Sequence, residues 1–332
     1  MTAGTANAVT IATVPVGNPG NAGELSGGAG GYGPPRICGA VAYDYRIGAT
    51  EVTAGQYRDF LNSVGGVDTY GLYNTGMSST TLGSGIARTG GGTVGNPYTY
   101  SVASDFMNRP VNYVSYWDSC RFSNWLNNGQ PAGAQNASTT EGGSYTLNGY
   151  SGGDGRTIQR NPGSKWAVTS EDEWYKGAYY NPATSSYYDY PTSSDTAPGQ
   201  DMADVSGNNA NYYTGSGPYP IDSPYYTTVA GEFQDSDSPY GTFDQGGNVW
   251  EWNESVVSDT ARGLRGGSFG GYGRGDSYLR ASSRDYSDAV GYPSYEHDYL
   301  GFRVVQVPEP TTLAVLALGG VGMLARRRGL GR

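Results

Sequence analysis

The sequence predicts an α+β domain with few short helices and irregular, loop-rich sheets. Its 332 residues include 54 glycines and 18 prolines without a fixed period, which indicates many turns rather than a fibrous repeat. Thirty tyrosines, seven phenylalanines and six tryptophans can fill a core, which argues against a disordered chain. Helical spacing of apolar residues appears in three short segments, whereas strand-like alternation recurs near both ends of the body.

An N-cap residue followed by an apolar stripe predicts each of the three helices. The N-caps are Thr53, Ser115 and Ser170. Asp118 and Glu173 lie three residues after the second and third caps, as in a capping box. The stripes consist of Tyr57, Phe60, Leu61 and Val64 in the first helix, Phe122, Trp125 and Leu126 in the second, and Trp174 and Ala178 in the third.

Apolar periodicity also predicts the strands, over residues 9–16, 41–47, 263–269, 277–284 and 300–307. Long segments rich in Gly, Ser, Asn, Thr and Tyr separate the helices, at residues 66–108, 129–165 and 181–240. Loops of this length in a compact domain are usually functional or stabilised by ions. No linker interrupts the pattern, so we expect one domain over residues 9–306.

The charge balance is acidic, with 20 basic and 30 acidic residues and a net charge of −10. Without the last 26 residues, the body has 16 basic and 29 acidic residues and a net charge of −13. An acidic body without a basic stripe gains no attraction from a phosphate backbone. Nucleic acid is therefore not an expected partner.

The chain has one histidine, His297, and two cysteines, Cys38 and Cys120. These counts exclude a zinc site built from several His and Cys ligands, and they exclude CxxC redox or iron–sulfur motifs. A Ser-His-Asp triad would have to use His297. Its neighbours at 295–298 favour a solvated histidine in a loop instead.

The C-terminus combines a Pro-Glu-Pro entry, a largely apolar run over residues 311–325 and a triple arginine. The apolar run is shorter than the ~20 residues that a membrane-spanning helix needs. In this order the three parts resemble a bacterial PEP-CTERM sorting tail. The resemblance implies export, transient anchoring by a transmembrane helix in the tail, processing by an exosortase-type enzyme, and a body at the cell envelope or extracellular surface. The sorting residues are Pro308, Glu309, Pro310, Arg326, Arg327 and Arg328.

The N-terminus lacks the basic and apolar regions of a signal peptide, which an exported protein should have. Ala6-Asn7-Ala8 has the small-x-small form of a signal-peptidase site. We hypothesise that the true start lies upstream of Met1 and that residues 1–8 are a remnant of the cleavage region. The expected organisation is then residues 1–8, a domain over 9–306 and a sorting tail over 307–332.

Six strings occur in order along the body: EVTAGQYRDFLNSV from Glu51, RPVNYVSYWDSCRFSNWL from Arg109, WAVTSEDEWYKGAYYN from Trp166, GTFDQGGNVWEWNES from Gly241, RGLRGGSF from Arg262 and LGFRVV from Leu300. Together they resemble the formylglycine-generating enzyme, or sulfatase-modifying factor, domain family, whose fold is a variant of the C-type lectin fold. GNVWEW followed by RGGS and a terminal GFR is the specific part of the resemblance, which covers essentially the whole body.

The physical properties of these strings first indicate core structure. Trp250 and Trp252 flank Glu251, so an extended segment directs both indoles to one side and the carboxylate to the other. Arg265 and Arg303 lie in strand-like runs, where each guanidinium needs buried acceptors.

The resemblance also implies structural calcium, for which carboxylate and carbonyl oxygens are suitable ligands. By position, the ligands of a first site would be Asp244, Gly247, Val249 and Glu251, with the glycine and the valine acting through backbone carbonyls. A second site would begin at Asn211 and Tyr212, and its other half falls in the divergent stretch around Asp222. The alternative for Glu251 is a carboxylate that accepts hydrogen bonds from backbone amides.

Active members of the family oxidise a cysteine of a client sulfatase to formylglycine, with copper held by two cysteines. In this chain Asp276 and Ala281 stand at those positions. Copper(I) prefers soft thiolate ligands, so this copper chemistry is not expected. Cys38 and Cys120 would form a disulfide in an exported protein or remain buried thiols, and a catalytic role is the third possibility.

The leading interpretation is a non-catalytic exported module for ligand binding or matrix interaction. The stretch from Gly270 to Tyr299, which lines the peptide groove in the family, is rich in Tyr, Ser, Gly and Asp, as antibody paratopes are. Its candidate binding residues are Tyr272, Asp276, Tyr278, Asp285 and Tyr286. The ligand would be a glycan, a peptide or a neighbouring matrix protein, and loop filler is the alternative for this stretch. Two other functions are a divergent formylglycine-generating oxidase with an unrecognised site, and a structural component of a surface layer or matrix.

Overall fold

The computed structural model describes residues 8–28, 33–153, 155–215, 219–258, 260–270, 275–284 and 291–308. Within these residues the α-helices are α1 (Ala54–Val64), α2 (Tyr116–Asn127) and α3 (Glu171–Tyr179), and short 3-10 helices span Thr75–Ser78, Ser104–Phe106 and Gly275–Tyr278. The strands are β1 (Thr13–Val16), β2 (Glu24–Ser26), β3 (Arg36–Cys38), β4 (Tyr45–Gly48), β5 (Ile86–Thr89), β6 (Thr99–Val102), β7 (Trp166–Val168), β8 (Tyr180–Asn181), β9 (Ser186–Tyr187), β10 (Trp250–Val256), β11 (Arg262–Arg265), β12 (Leu300–Phe302) and β13 (Val304–Gln306).

Two small sheets enclose the core. The first has the strand order β1–β4–β13–β7 and is antiparallel. The second has the order β11–β10–β12, with β10 antiparallel to β11 and parallel to β12. The hairpins β2–β3, β5–β6 and β8–β9 lie apart from these sheets. Few helices, small sheets and long connections confirm the predicted loop-rich α+β class.

The three predicted helices are present and begin at the predicted caps. Thr53, Ser115 and Ser170 each accept a hydrogen bond from the backbone N–H three residues later. In each helix the side chain at that third position accepts a hydrogen bond from the backbone N–H of the cap residue, which completes a capping box. The predicted apolar stripes are buried, so helix caps and helix faces were both readable from the sequence.

The strand predicted at residues 277–284 is wrong. This segment forms the 3-10 helix Gly275–Tyr278 and then turns. The backbone N–H of Ala281 donates to the carbonyl of Asp189 at 2.8 Å, which is a loop contact and not part of a ladder. Leu279 and Ala281 are both buried. The alternation in the sequence therefore reflects burial of every second side chain and not strand pairing.

The other predicted strands are shorter than expected. Pairing is confined to β1 within residues 9–16, β4 at the end of 41–47, β11 at the start of 263–269, and β12 and β13 within 300–307.

A buried ion pair joins the two sheets. Arg303, between β12 and β13, donates to both carboxylate oxygens of Glu251 in β10, at 2.6 and 2.7 Å. Its remaining donors reach the carbonyl oxygens of Gly48 and Phe243, both at 2.9 Å. Trp174 of α3 donates to the same carboxylate at 2.7 Å. These are the buried acceptors that the sequence required for this guanidinium.

Replacing Arg303 tests how much this pair stabilises the fold. We expect Arg303→Met to lower the free energy of unfolding by about 3–5 kcal/mol, because the buried carboxylate of Glu251 loses its compensating charge. The exposed Arg46→Met is the matched control, with an expected loss of about 1 kcal/mol or less. Chemical denaturation of the three proteins measures both values, and equal losses would contradict the stabilising role of the pair.

A pair of acids, the buried Asp118 and the half-buried Glu296, lies at the N-terminus of α2. Glu296 accepts a hydrogen bond from Asn74 and interacts with Asp118, the capping-box acid of α2. Burial, and then the charge of Asp118, raises the pKa of Glu296 to about 8. Burial also raises the pKa of Asp118 to about 6. The folded protein therefore holds a proton on Glu296 that the unfolded chain releases at lower pH.

The protonation of Glu296 predicts how the free energy of unfolding depends on pH. Because the folded pKa of Glu296 lies above the unfolded value of 4.5, its contribution to stability falls as the pH rises from about 4.5 to about 8. We expect Glu296→Gln, which mimics the protonated acid, to gain stability over the wild type as the pH rises from 5 to 8, by up to about 1.4 kcal/mol per pH unit. Denaturant titrations at both pH values measure the difference, with the exposed Asp237→Asn as control. A pH-independent difference would show that Glu296 is ionised throughout.

Candidate functional site

β10 carries the centre of the region that the resemblance marks. The indoles of Trp250 and Trp252 both join the main hydrophobic core, whereas Glu251 binds Arg303 and Trp174. The predicted alternation of side chains along this strand is therefore present. Within the described residues, the carboxylate of Glu251 accepts hydrogen bonds from the side chains of Arg303 and Trp174, in contrast to the backbone amides considered from the sequence.

The loop before β10 brings the two predicted calcium regions together. Gly247 has a φ of +92°, and a Cβ there would lie 2.2 Å from the carbonyl oxygen of Asn211. The next residue, Asn248, donates its backbone N–H to that same carbonyl at 2.7 Å. Glycine is thus required at 247 both by its φ and by this close approach. Val249 is buried directly beyond the loop.

Asp244 begins this loop in a half-buried position. Its Oδ2 accepts the backbone N–H of Gly231 at 2.6 Å. Burial raises the pKa of Asp244 to about 6, and the negative charges of Glu251 and Glu232 act in the same direction. The backbone N–H of Gly231 and the charge of Arg303 oppose the shift without cancelling it. The groups around Asp244 therefore carry more negative than positive charge.

Glu51 is an acid that the sequence analysis did not single out. It is 1% exposed, and neither of its carboxylate oxygens has a hydrogen-bond partner among the residues that the structure describes. Burial raises its pKa well above the ordinary value, and the charges of Asp244 and Glu251 raise it further, while Arg303 opposes. Only the tertiary fold reveals this residue, because its flanking sequence is that of any acid placed before a helix cap.

Asn211 also has an unsatisfied oxygen. Its Nδ2 donates to the carbonyl of Tyr226 at 2.8 Å and to Oδ1 of Asn248 at 3.1 Å. Its own Oδ1 is buried and has no hydrogen-bond partner. Buried polar atoms of this kind are rare, and a bound cation is one explanation.

The other residues of the second region are already engaged. The carbonyl oxygen of Tyr212 accepts a hydrogen bond from Gln200. Asp222 pairs with Arg109 at 2.7 Å. The stretch around Asp222 is too divergent in sequence to be aligned with the second calcium site of the family.

The donor chemistry of this region fits calcium in part. The unsatisfied amide oxygen of Asn211 and the carboxyls of Glu51 and Asp244, which Arg303 compensates only in part, are oxygen donors that Ca²⁺ prefers. Glu251, in contrast, already accepts hydrogen bonds from Arg303 and Trp174. In the described ranges, no group of three or more His, Cys, Asp or Glu side chains is arranged to hold a metal ion. The calcium ligands therefore stay a prediction.

An aromatic cavity of about 260 Å³ forms a separate concave site. Its wall is built mainly from the rings of Tyr213, Tyr219, Tyr226, Phe269 and Tyr299, and His297, Asp298, Leu82 and Gly270 complete it. The rings of Tyr219 and Tyr226 lie 5.6 Å apart at an interplanar angle of 71°, so neighbouring walls are close to perpendicular. Four separate chain segments supply these residues, which is why no local motif predicted the cavity.

His297 lies in the wall of this cavity. Its ring stacks against Tyr113, Tyr295 and Tyr299, with centroid distances of 6.3, 5.7 and 4.1 Å. Its Nδ1 contacts the carboxylate of Asp298. His297 lies in a loop, as expected, and its side chain is 33% exposed, while three tyrosines pack around the imidazole.

The predicted binding residues are only partly placed by the structure. Asp276 accepts a hydrogen bond from the Tyr190 hydroxyl at 2.7 Å, and Tyr278 packs edge-to-face on Trp250 with centroids 5.1 Å apart. Neither lines the aromatic cavity. Tyr272, Asp285 and Tyr286 lie outside the described residues. The segment from Gly270 to Tyr299 nonetheless contributes to the cavity at both of its ends.

The two cysteines are free, buried thiols. Cys38 lies in β3 and Cys120 in α2, so the disulfide alternative is wrong. Burial raises the pKa of Cys38 to about 11 and also raises the pKa of Cys120. The thiolate, which is the reactive and metal-binding form, is therefore disfavoured at both positions.

The two positions aligned with the copper cysteines lie in different surroundings. Ala281 is in a buried cluster with Cys38 and Trp174. Asp276 is half-exposed and forms an ion pair with Arg280 at 3.3 Å.

The sorting tail begins where the described residues end. Pro308 is the last of them, and Glu309, Pro310, Arg326, Arg327 and Arg328 lie beyond. The predicted transmembrane helix of the tail also falls outside the described residues. Among the helices within them, none has the length and apolar character needed to cross a membrane.

Three solved structures are similar to this chain over most of its length. The structure of CarF has a TM-score of 0.51 and 20% identity, and covers 90% of this chain and 99% of its own. Treponema denticola variable protein 1 has a TM-score of 0.54 and 17% identity, over 92% and 98% of the two chains. PvdO from Pseudomonas aeruginosa has a TM-score of 0.50 and 18% identity, over 89% and 94%. At these identities the similarity establishes the fold alone.

Two family models match the sequence, whereas no curated protein sequence matches it significantly. A PEP-CTERM protein-sorting motif matches residues 306–328 and points to export toward the cell envelope or surface. The sulfatase-modifying factor enzyme 1-like domain matches residues 21–308. With its capped helices, its GNVWEW strand and this match over most of its length, the chain belongs to the sulfatase-modifying factor family, which includes the formylglycine-generating enzymes.

Proposed function

We propose that this chain is an exported binding module that holds a ligand in its aromatic cavity and does not oxidise a cysteine. The observation that carries the proposal is the cavity itself, a concave site lined by five aromatic rings and by the polar residues His297 and Asp298. Apolar concave surfaces with a few placed polar groups are the usual form of small-ligand sites. The segment expected to face the ligand forms part of its wall.

The state of the cysteines supports a non-catalytic role. A copper oxidase of this family needs two thiolates that converge on one ion. In this chain the thiols lie in different elements, and burial disfavours ionisation of each. No further cysteine exists elsewhere in the sequence to replace them.

A two-part assay tests the proposal on the full-length chain. With calcium and copper supplied, we expect no aldehyde on a Cys-x-Pro-x-Arg peptide, because the thiolate pair is missing. On a glycan and peptide array, we expect binding that Gly270→Leu abolishes. A Cβ at 270 would lie 3.4 Å from the Tyr299 ring, so the backbone tolerates a side chain that fills the cavity. Gly95→Leu, which adds a side chain in open space, is the matched control.

The outcomes separate the alternatives. Aldehyde formation would establish an oxidase with an unrecognised site. Ligand binding that survives Gly270→Leu would place the binding surface elsewhere on the molecule. Loss of binding in both glycine variants would show that the array detects a general surface and not this cavity.

We further propose that calcium stabilises the loop before β10. The supporting observations are the unsatisfied Oδ1 of Asn211, the buried Glu51 and the half-buried Asp244. Arg303 compensates the charge of the two acids only in part. Asn211, Asp244 and Glu51 are the side chains that would hold the ion, with the backbone around Gly247 beside them. A bound Ca²⁺ would supply positive charge to a buried acidic cluster and would fix the loop against Asn211.

Thermal melting tests the calcium proposal. Calcium at a hundredfold excess over its Kd should stabilise the chelator-stripped protein by about 3 kcal/mol. Glu51→Gln should melt above the wild type without calcium, because repulsion with Asp244 and Glu251 is lost, and should gain less from added calcium. Asp237→Asn, an exposed acid, should behave like the wild type. An unchanged melting temperature of the wild type on adding calcium would rule out the proposal.

A further inference from the structure

We infer that the aromatic cavity is a cage for an organic cation, namely an alkylammonium group such as that of choline or of a methylated lysine side chain. This inference rests on the proposed function, that the cavity binds a ligand, and names the chemical class of that ligand. Three properties of the cavity carry it: the arrangement of the rings, the sign of the charge and the size.

The aromatic rings that line the cavity pack against one another at steep angles. Tyr213 and Tyr219 have centroids 5.3 Å apart at 72°, and Tyr219 and Tyr226 are 5.6 Å apart at 71°. Tyr226 and Phe269 are 5.6 Å apart at 51°. Each aromatic face carries partial negative charge, so the rings that line the cavity can attract a cation bound among them.

The charge of the lining has the matching sign. Asp298 brings a carboxylate to the cavity, and no lysine or arginine lines it in the part of the chain that the structure describes. Arg109, from a neighbouring segment, stacks 4.1 Å over Tyr225 and pairs with Asp222. Its charge is therefore already neutralised outside the cavity, and the acidic body as a whole favours the approach of cations.

The size and polarity select a compact, weakly hydrated head group. A volume of about 260 Å³ lies below the roughly 300–1,000 Å³ of sites for drug-sized ligands. A saccharide of that size would need hydrogen bonds for several hydroxyl groups. The hydroxyl of Tyr219 already donates to the carbonyl of Phe269, and His297 contacts Asp298. An alkylammonium group needs few hydrogen bonds, so it fits this lining better.

The decisive experiment compares choline with its neutral isostere, 3,3-dimethyl-1-butanol, by calorimetric titration of the full-length chain. The two molecules share shape and apolar surface and differ in charge. We expect choline to bind at least about tenfold more tightly, since the ring faces and Asp298 act on the charge. Phosphocholine, a trimethyllysine peptide and the unmethylated lysine peptide then distinguish a lipid or polymer head group from a protein side chain as the natural source.

Variants locate the binding in the cavity. Tyr226→Leu should weaken choline binding about tenfold or more, whereas Tyr226→Phe, which keeps the ring, should retain it. Tyr98→Leu removes a half-buried tyrosine from the β5–β6 hairpin and serves as the matched control. Asp298→Asn should weaken choline binding and leave that of the neutral isostere unchanged, which separates the carboxylate from the rings. Melting curves verify that each variant is folded.

The results distinguish this inference from the proposed function. Equal affinity for choline and its isostere would overturn the cation inference, while binding in the cavity would stand. A glycan or neutral peptide that binds in a Gly270-dependent manner, with no affinity for any of the cations, would do the same. Choline binding that is indifferent to Tyr226→Leu would place the cation site elsewhere and would also overturn the inference.

Discussion

Arg303 connects segments that are far apart in the chain and that meet at the base of both sheets. It separates β12 from β13, binds Glu251 in β10, and donates to carbonyls at the end of β4 and in the loop before Asp244. Because a buried guanidinium must satisfy its donors, the positions of these backbone segments are mutually dependent.

Several arginines are buried in the core, where they form ion pairs with glutamates. Arg121 pairs with Glu141 at 2.7 Å, and Arg265 and Arg284 both pair with Glu171, at 2.8 and 2.6 Å. These arginines are buried, so their charge does not act at the surface. The excess negative charge of the body therefore lies outside the core and at sites such as Glu51, where it is only partly compensated. A protein of this kind is suited to binding cations, whether Ca²⁺ beside Asp244 or an organic cation between aromatic rings.

Binding and oxidation make different demands on the same scaffold. Oxidation requires soft ligands that are ionised and converge, and the thiols of this chain are protonated and apart. Binding requires a concave wall, which long loops can supply without changing the sheets beneath them. The aromatic cavity is of the second kind, since its residues come from connections and not from the strands and helices that form the core.

The sequence by itself determined the fold class, the family, the three capped helices, the sorting tail and the burial of Arg265 and Arg303, because each depends on local spacing or on a contiguous motif. It failed for the strand at 277–284, since burial of alternate side chains does not specify strand pairing. It also did not indicate the tyrosines around His297, since these ring contacts join residues at distant positions. The sequence could not predict the environment of Glu51 or the cavity that Tyr213, Tyr226 and Phe269 form. Their chemistry arises from residues that only the tertiary structure brings together, and no single segment carries the unpaired charge or the ring geometry that defines them.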